Sequence, residues 1–201
     1  MTKRPRAVDV LSKEAAYRGY ARIDRYRLHH EMFAGGMGPE IRRELYERGH
    51  AVAVLPYDPC RNAVVLIEQF RIGAYAAGDE PWLIEIVAGI IEDGETPEDV
   101  ACREAEEEAG CAISDLVAGP SFYASPGIST EHVRTFVGRT DVQGVGGIHG
   151  LAAEGEDIRV AVHSLDDALA MLNAGRILFA PAAVALQWLA LNRDDVLARW
   201  R

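Results

Sequence analysis

The chain has 201 residues, 49% of them hydrophobic, and a formal net charge of −10 at pH 7, enough apolar content to bury the core of one moderate-sized domain with a small extension. That acidity excludes generic binding to nucleic-acid backbones, which needs a basic surface, and it repels a free pyrophosphate, so a phosphate substrate must be drawn in by metal ions and a few local arginines. No apolar run reaches the roughly 18 residues that span a bilayer, the charged start MTKRPRAVDV has no apolar segment behind it, and Cys60, Cys102 and Cys111 form no paired motif, so a cytoplasmic setting with neither membrane nor nucleic-acid partners is expected.

In chain order, residues Val8 to about Leu45 hold the alternating segments VDVLSK and YARIDRYRLHH, the turn AGGMG at Ala34 to Gly38, and a strand-like stretch around Ile41 to Arg48. They predict a small antiparallel sheet over residues 1–48. Three strands bury little surface alone, so this piece should pack on another surface, a second copy of the chain being one candidate. A second region, 49–201, begins with the β-rich runs AVAVLPY and AVVLIEQF, joined by a turn at Asp58 to Asn62, and continues with WLIEIVAG. Later strands are predicted near Phe122 to Ala124, at His132 to Arg139 and at Ile158 to His163. Ser164 caps a helix with Asp167 at its third position and Gly175 beyond its end, and Pro181 opens the apolar AAVALQWLAL. Mixed strands with helices on either side predict an α/β/α sandwich.

Between the third and fourth of these predicted features lies the chemically loaded segment, GIIEDGETPEDVACREAEEEAGC from Gly89 to Cys111. Thr96 is a helix N-cap with Pro97 at the first helical position and Asp99 three residues after the cap, and Gly110 supplies a left-handed stop, so a helix should run from about Pro97 to Ala109. Glu104, Glu107 and Glu108 then project from one side, which they share with the core-seeking Val100. Like charges at these spacings repel, and a Mg²⁺ or Mn²⁺ ion would relieve the conflict, because hard divalent cations take carboxylate oxygens and keep waters for substrate phosphates. The ordinary alternative is a solvated acidic face.

Downstream, Gly144 to Asp157 is a glycine-rich loop carrying Glu154 and Glu156. It is either a solvated acidic hinge or a mobile active-site segment, and the two glutamates favour the second, since hydrolysis needs a base to align or deprotonate water. Other chemistries lack their signatures. The six histidines show no HExxH or similar spacing, and there is no GxSxG elbow or Walker loop. Three carboxylates on one helix face do not make the opposed pair of a glycosidase.

Gly89, Glu95, Arg103, Glu104, Glu107, Glu108 and Gly110 match every fixed letter of G-x5-E-x7-R-E-U-x-E-E-x-G-U, where U is a bulky aliphatic residue; only Ala105 and Cys111 depart, at the packing letters. On average residue usage that coincidence has a probability of roughly 10⁻⁸ per starting position, which outweighs the solvated-face alternative. The chain thus resembles the Nudix hydrolases, which cleave a nucleoside diphosphate linked to another group. ASPG at Ala124 to Gly127, with Glu131 after it, resembles the ADP-ribose pyrophosphatases of that family, as do YRGY, RRELYERGHA, VLIEQFRIGAY, PWLIEIVAG, GIHGL and GEDIRV, so the likeness extends over nearly the whole chain.

The resemblance implies a Nudix-type fold and metal-dependent hydrolysis of ADP-ribose to AMP and ribose 5-phosphate, with a nucleotide sugar such as GDP-mannose as the alternative substrate. A non-catalytic ADP-ribose-binding domain is disfavoured by the intact glutamates. It implies metal ligands at the Ala88 carbonyl, Glu104 and Glu108, with Glu107 close by and Glu156 in metal binding or loop closure; Glu154 as the base; and Arg103 and Glu95 as supports that orient the helix carboxylates. It also implies substrate contacts from Arg71, Arg43, Ser125, Gly127 and Glu131, and an adenine-stacking Tyr20, with Tyr20 and Arg43 reaching the opposite subunit of a homodimer through exchanged N-terminal sheets.

Overall fold

The computed structural model describes residues 6–151, 153 and 155–201. Its central strand, β4 (Ala51–Asp58), is buried at every position, because helices cover both faces of the sheet to which it belongs. Period-two alternation divides it: Ala51, Ala53, Leu55 and Tyr57 enter one core, Val52 and Val54 the other.

Chain contacts divide the molecule into two units. One holds the described residues up to His50 together with Tyr123–Glu131; the other holds Ala51–Phe122 and His132–Arg201. The first unit is built on an antiparallel sheet of β1 (Val8–Arg18), β2 (Arg22–His30) and β3 (Ile41–Glu47) in that order. The first strand is longer than VDVLSK predicts. Asp24 is buried, paired with Lys13 across the β1–β2 hairpin (3.1 Å) and with Arg22 on its own strand (2.9 Å). The 123–131 segment joins the sheet where the Tyr46 N–H donates to Ile128 O (2.7 Å) and the Thr130 hydroxyl donates to Glu47 (2.6 Å).

In the second unit β4 is followed by β5 (Ala63–Phe70), α1 (Ile72–Ala77), β6 (Trp82–Glu85), β7 (Val87–Ile90), α2 (Pro97–Ala109), β8 (Asp115–Tyr123), β9 (His132–Arg139), β10 (Gly147–His149), β11 (Ile158–Ser164), α3 (Leu165–Asn173) and α4 (Ala180–Arg199). The sheet order is β10-β11-β5-β4-β9-β8, with β4 and β9 parallel and β4 antiparallel to β5. The β4–β5 hairpin is paired only near its turn, at Tyr57–Val64 and Asp58–Ala63, and then splays open. Into the gap go β6, paired with β5, and β7, paired with β4. The run WLIEIVAG, one strand in the sequence reading, is therefore two, broken at Ile86 because its halves face different partners.

Helix α2 covers one face of this sheet, packing Val100, Ala101, Ala105 and Ala109 on Val52, Val54, Val65 and Ile67. Helices α3 and α4 cover the other through Leu165, Ala168, Ala185, Leu186 and Leu189. The second unit is a three-layer α/β/α sandwich with a mixed sheet, and the first is built on the small antiparallel sheet. Several elements lie outside the sequence expectation: α1, the three-residue β10, the earlier start of β8, and the continuation of α4 past Leu191 through a kink at Asn192 (φ −121°, ψ 17°), whose amide donates to Trp188 O (2.8 Å).

Ile86 is fully buried at the split between β6 and β7. Truncation to Ala should cost about 2–5 kcal/mol by lost burial and the cavity left behind. Urea unfolding of Ile86→Ala measures it, and a loss under about 1 kcal/mol would contradict tight packing at the β6–β7 split.

Candidate active site

Helix α2 has the termini its sequence dictates. The Thr96 hydroxyl accepts from the Asp99 N–H (3.2 Å), Pro97 begins the helix, and Gly110 ends it at φ 61°. At that end the Gly110 N–H donates to Glu106 O and the Cys111 N–H to Ala105 O, both at 2.9 Å, which satisfies carbonyls that would otherwise be orphaned. Because the apolar side of α2 faces the sheet, Glu108 descends toward it and is only 4% exposed. Its carboxylate is anchored by the Ala88 N–H of β7, which donates to Oε2 at 3.0 Å.

The electrostatics follow from that placement. Burial pushes the Glu108 carboxyl up to about 8; the Ala88 N–H works against the shift, and the charges of Glu104 and Glu156 add to it. Glu104 is raised for the same first reason, burial, with Arg103 pulling it back and Glu107 and Glu156 pushing it up. Glu104 lies so close to β7 that a Cβ at Gly89 would collide with its carboxylate. Among the described residues no three acidic, histidine or cysteine side chains are gathered closely enough to enclose an ion. Glu104 turns to Arg103, and Glu108 to the Ala88 N–H. The three carboxylates nonetheless supply the hard oxygen donors a divalent cation takes, and their mutual repulsion is what such an ion would remove.

Two arginines hold the surroundings. Arg103 donates Nε to Glu95 (3.2 Å) and Nη1 to both Glu104 (2.9 Å) and Glu107 (3.0 Å), joining four of the residues singled out by the sequence. Glu95 also accepts from the Glu92 N–H (3.0 Å), which ties the entrance of α2 to the helix. Arg71 forks onto Glu85 through Nε (2.9 Å) and Nη2 (2.7 Å). Burial works against its charge, but Glu85, with smaller help from Glu108 and Glu156, leaves its pKa raised. Glu85 was not singled out by the sequence reading; its signal is a glutamate in the apolar run WLIEIVAG, since a buried carboxylate needs a partner. By register it stands opposite Ile67, on the α2 side of the sheet.

Glu156 accepts from the Leu151 N–H at 3.0 Å. Glu154 lies outside the described residues. The remaining predicted contacts belong to the first unit. Tyr20, in the β1–β2 turn, is 92% exposed and so is not a core residue. Arg43 stands opposite Tyr26 in β3, its Nη1 donating to Arg42 O (2.8 Å). Ser125 O accepts from the N–H groups of Ile128 (3.0 Å) and Ser129 (2.9 Å), closing a turn over Gly127, and Glu131 pairs with Arg48 (3.2 Å). Elsewhere on the second unit, an open cavity of about 740 Å³ lies between the β4–β5 turn and the end of α2, with its arginines already paired to Asp58, Asp115 and Asp141.

An α/β/α sandwich whose helix, packed over a split hairpin, carries the complete glutamate pattern defines a class, and the NUDIX domain pattern matches residues 47–182, more than half of the chain. The chain belongs to the Nudix family. In particular, it is 48% identical over 193 residues to the ADP-ribose pyrophosphatase of Escherichia coli (strain K12), covering 96% of this chain and 92% of that one. It is 41% identical to the ADP-ribose pyrophosphatase of Haemophilus influenzae, with 96% and 91% covered. A GDP-mannose pyrophosphatase of Pectobacterium atrosepticum is 33% identical, with 85% and 87% covered. A crystal structure of an ADP compounds hydrolase shares the fold with a TM-score of 0.70 at 20% identity, over 94% of this chain and 97% of that one.

The raised Glu108 carboxyl makes a signed prediction. Its folded-state pKa of about 8 exceeds the unfolded value of 4.5, so its contribution to stability is present at low pH and is lost as pH rises through that interval, at about 1.4 kcal/mol per unit. Without divalent metal, Glu108→Gln should therefore raise the melting temperature at pH 9 and lose that advantage near pH 5. Thermal unfolding with chelator across this range checks it; a variant less stable than the parent at pH 9 would contradict the burial argument.

Proposed function

We propose that this Nudix hydrolase uses water to split the pyrophosphate bridge of ADP-ribose into AMP and ribose 5-phosphate, the activity being the one named for its 48% and 41% identical relatives. The observation that carries the proposal is the set Glu104, Glu108 and Glu156, three mutually repelling carboxylates with Glu108 sunk against β7. These residues, with the Ala88 carbonyl, would hold Mg²⁺, or Mn²⁺ in its place. Such a cation supplies charge neutralisation at the diphosphate, a water of lowered pKa and stabilisation of the leaving oxygen. The protein's own groups do the rest. Arg103 and Glu95 keep Glu104 and Glu107 in place on the helix face. Glu154 is assigned to aligning and deprotonating the attacking water, and Glu156, two residues on, leaves room for an exchange of roles. Arg71 is assigned to the nucleotide, with its orientation fixed by Glu85.

The first unit is assigned to substrate recognition within a homodimer. Val8, Val10, Leu11 and Tyr17 are exposed in β1, as is Tyr20 beyond it, more apolar surface than a lone three-stranded sheet can leave in water without cost. An exchanged N-terminal sheet would cover it and bring Tyr20 and Arg43, with Ser125, Gly127 and Glu131, to the nucleotide. No helix among the described residues is long and apolar enough to cross a membrane, and three free thiols suit a reducing cytoplasm. The net charge of −10 argues against nucleic-acid partners.

Hydrolysis in ¹⁸O-labelled water across ADP-ribose, GDP-mannose and other nucleoside diphosphate derivatives should show ADP-ribose preferred, label in one phosphomonoester product, and Glu104→Gln slower on the order of a hundredfold or more. Preference for GDP-mannose would replace the substrate assignment. Co-expression of Arg43→Ala with Glu108→Gln subunits should restore turnover that neither homodimer has, because one site in the mixed dimer regains both groups. Activity no greater than that of the two separate variants would contradict the exchanged dimer.

A further inference from the structure

Residues 146–151 are poor in anchors. Gly146, Gly147 and Gly150 have no side chains, Ile148 is 66% exposed, and Leu151 is 41% exposed. His149 alone among residues 146–151 turns a large side chain inward, as the alternation of β10 requires once Ile148 points out. The Cε1 edge of its ring abuts the end of α2: a Cβ placed on Gly110 would sit 2.8 Å from His149 Cε1, nearer than to either ring nitrogen. The same ring is tied back to the residue that precedes its strand, Nε2 donating to Gly146 O at 3.1 Å. Gly110 is thus constrained twice, by its left-handed backbone at φ 61° and by the imidazole that occupies the space of a side chain.

Beyond His149 the chain turns sharply. Gly150 is so close to Glu156 that a Cβ on it would meet the Glu156 Cβ at 2.7 Å. Leu151 and Glu156 bind each other reciprocally: the Leu151 N–H donates to the Glu156 carboxylate (3.0 Å), and the Glu156 N–H donates to Leu151 O (3.3 Å). The direction of the Glu156 carboxylate is consequently set by residues 150 and 151, which hang directly from His149. On the other side of the turn β11 begins at Ile158, fully buried and paired with His149. A continuous series of contacts runs from Gly110 through His149 and Leu151 to Glu156.

We propose that His149 is a positioning residue for Glu156: seated on Gly110, its ring fixes the β10–β11 turn to the end of α2, and so fixes the Glu156 carboxylate relative to Glu104 and Glu108 on the same helix. The inference rests on the assignment of Glu156 to the cation site. The helix that carries two of the carboxylates thereby also sets the place of the third, through a contact at its far end. The shape of the ring matters more than its charge, because the Cε1 edge against Gly110 is a packing contact.

Two measurements on the full-length protein separate this from a general structural role. Amide exchange followed by NMR needs no turnover. In His149→Ala the Leu151 and Glu156 amides should exchange roughly tenfold faster, with the interior of α2 unchanged, and His149→Phe should restore protection. Turnover is then compared in a double-mutant cycle. His149→Ala should lower kcat roughly tenfold with little change in KM, and adding it to Glu156→Gln should lower kcat no further. Unchanged exchange in His149→Ala, or losses that simply multiply in the double variant, would overturn the proposal. Full activity of Glu156→Gln would instead contradict the site assignment of Glu156, and exchange would still decide the contact itself.

Discussion

A carboxylate almost removed from water, Glu108, is the constraint around which the second unit is arranged. It reaches its position because α2 must turn Val100, Ala101, Ala105 and Ala109 onto the sheet, and residue 108 lies on the edge of that same side. A buried carboxyl is tolerable only if it stays neutral, is hydrogen-bonded, or meets a cation. The protein supplies an N–H from Ala88, and the negative charges of Glu104 and Glu156 outweigh the nearby positive charge of Arg71. Such a group costs stability as a carboxylate, and it persists most simply as a ligand.

The splayed β4–β5 hairpin makes this geometry available. Had β4 and β5 paired along their full length, no β7 would lie beside β4 to offer the Ala88 N–H, and no β6 would carry Glu85 to Arg71. Both arginines near the acidic cluster are bound to carboxylates: Arg71 forks onto Glu85, and Arg103 bridges Glu95, Glu104 and Glu107. A chain of net charge −10 therefore concentrates acidic groups at one place and holds its cationic groups in defined positions around them. Electrostatic attraction for a polyphosphate then depends on added metal, which makes activity conditional on the ion's presence.

Where a local signal decides structure, the sequence was legible. Thr96, Pro97 and Gly110 mark both ends of α2, Ser164 and Asp167 mark the start of α3, and the apolar runs at 51–57, 63–70 and 132–139 form strands within a residue of their predicted bounds. Tertiary context decided the remainder. Nothing local in WLIEIVAG says that its halves pair with different strands; α1 is six residues long with no side-chain cap; and β10 exists only because β11 offers an edge to a glycine-rich segment. The candidate site divides in the same way. Helical spacing put Glu104, Glu107 and Glu108 on one side, whereas Glu85, His149 and the Leu151 clasp on Glu156 required the fold. The base expected at Glu154 lies outside the described residues.

The most direct test of a carboxylate site built for a cation is equilibrium binding of Mn²⁺ to the purified protein, followed by electron paramagnetic resonance, in the parent, Glu104→Gln and Glu108→Gln. Saturable binding that is competed by Mg²⁺ and weakened in both variants, with circular dichroism unchanged, is the predicted result. Equal affinity in all three proteins, or no saturable binding in any of them, would contradict the account.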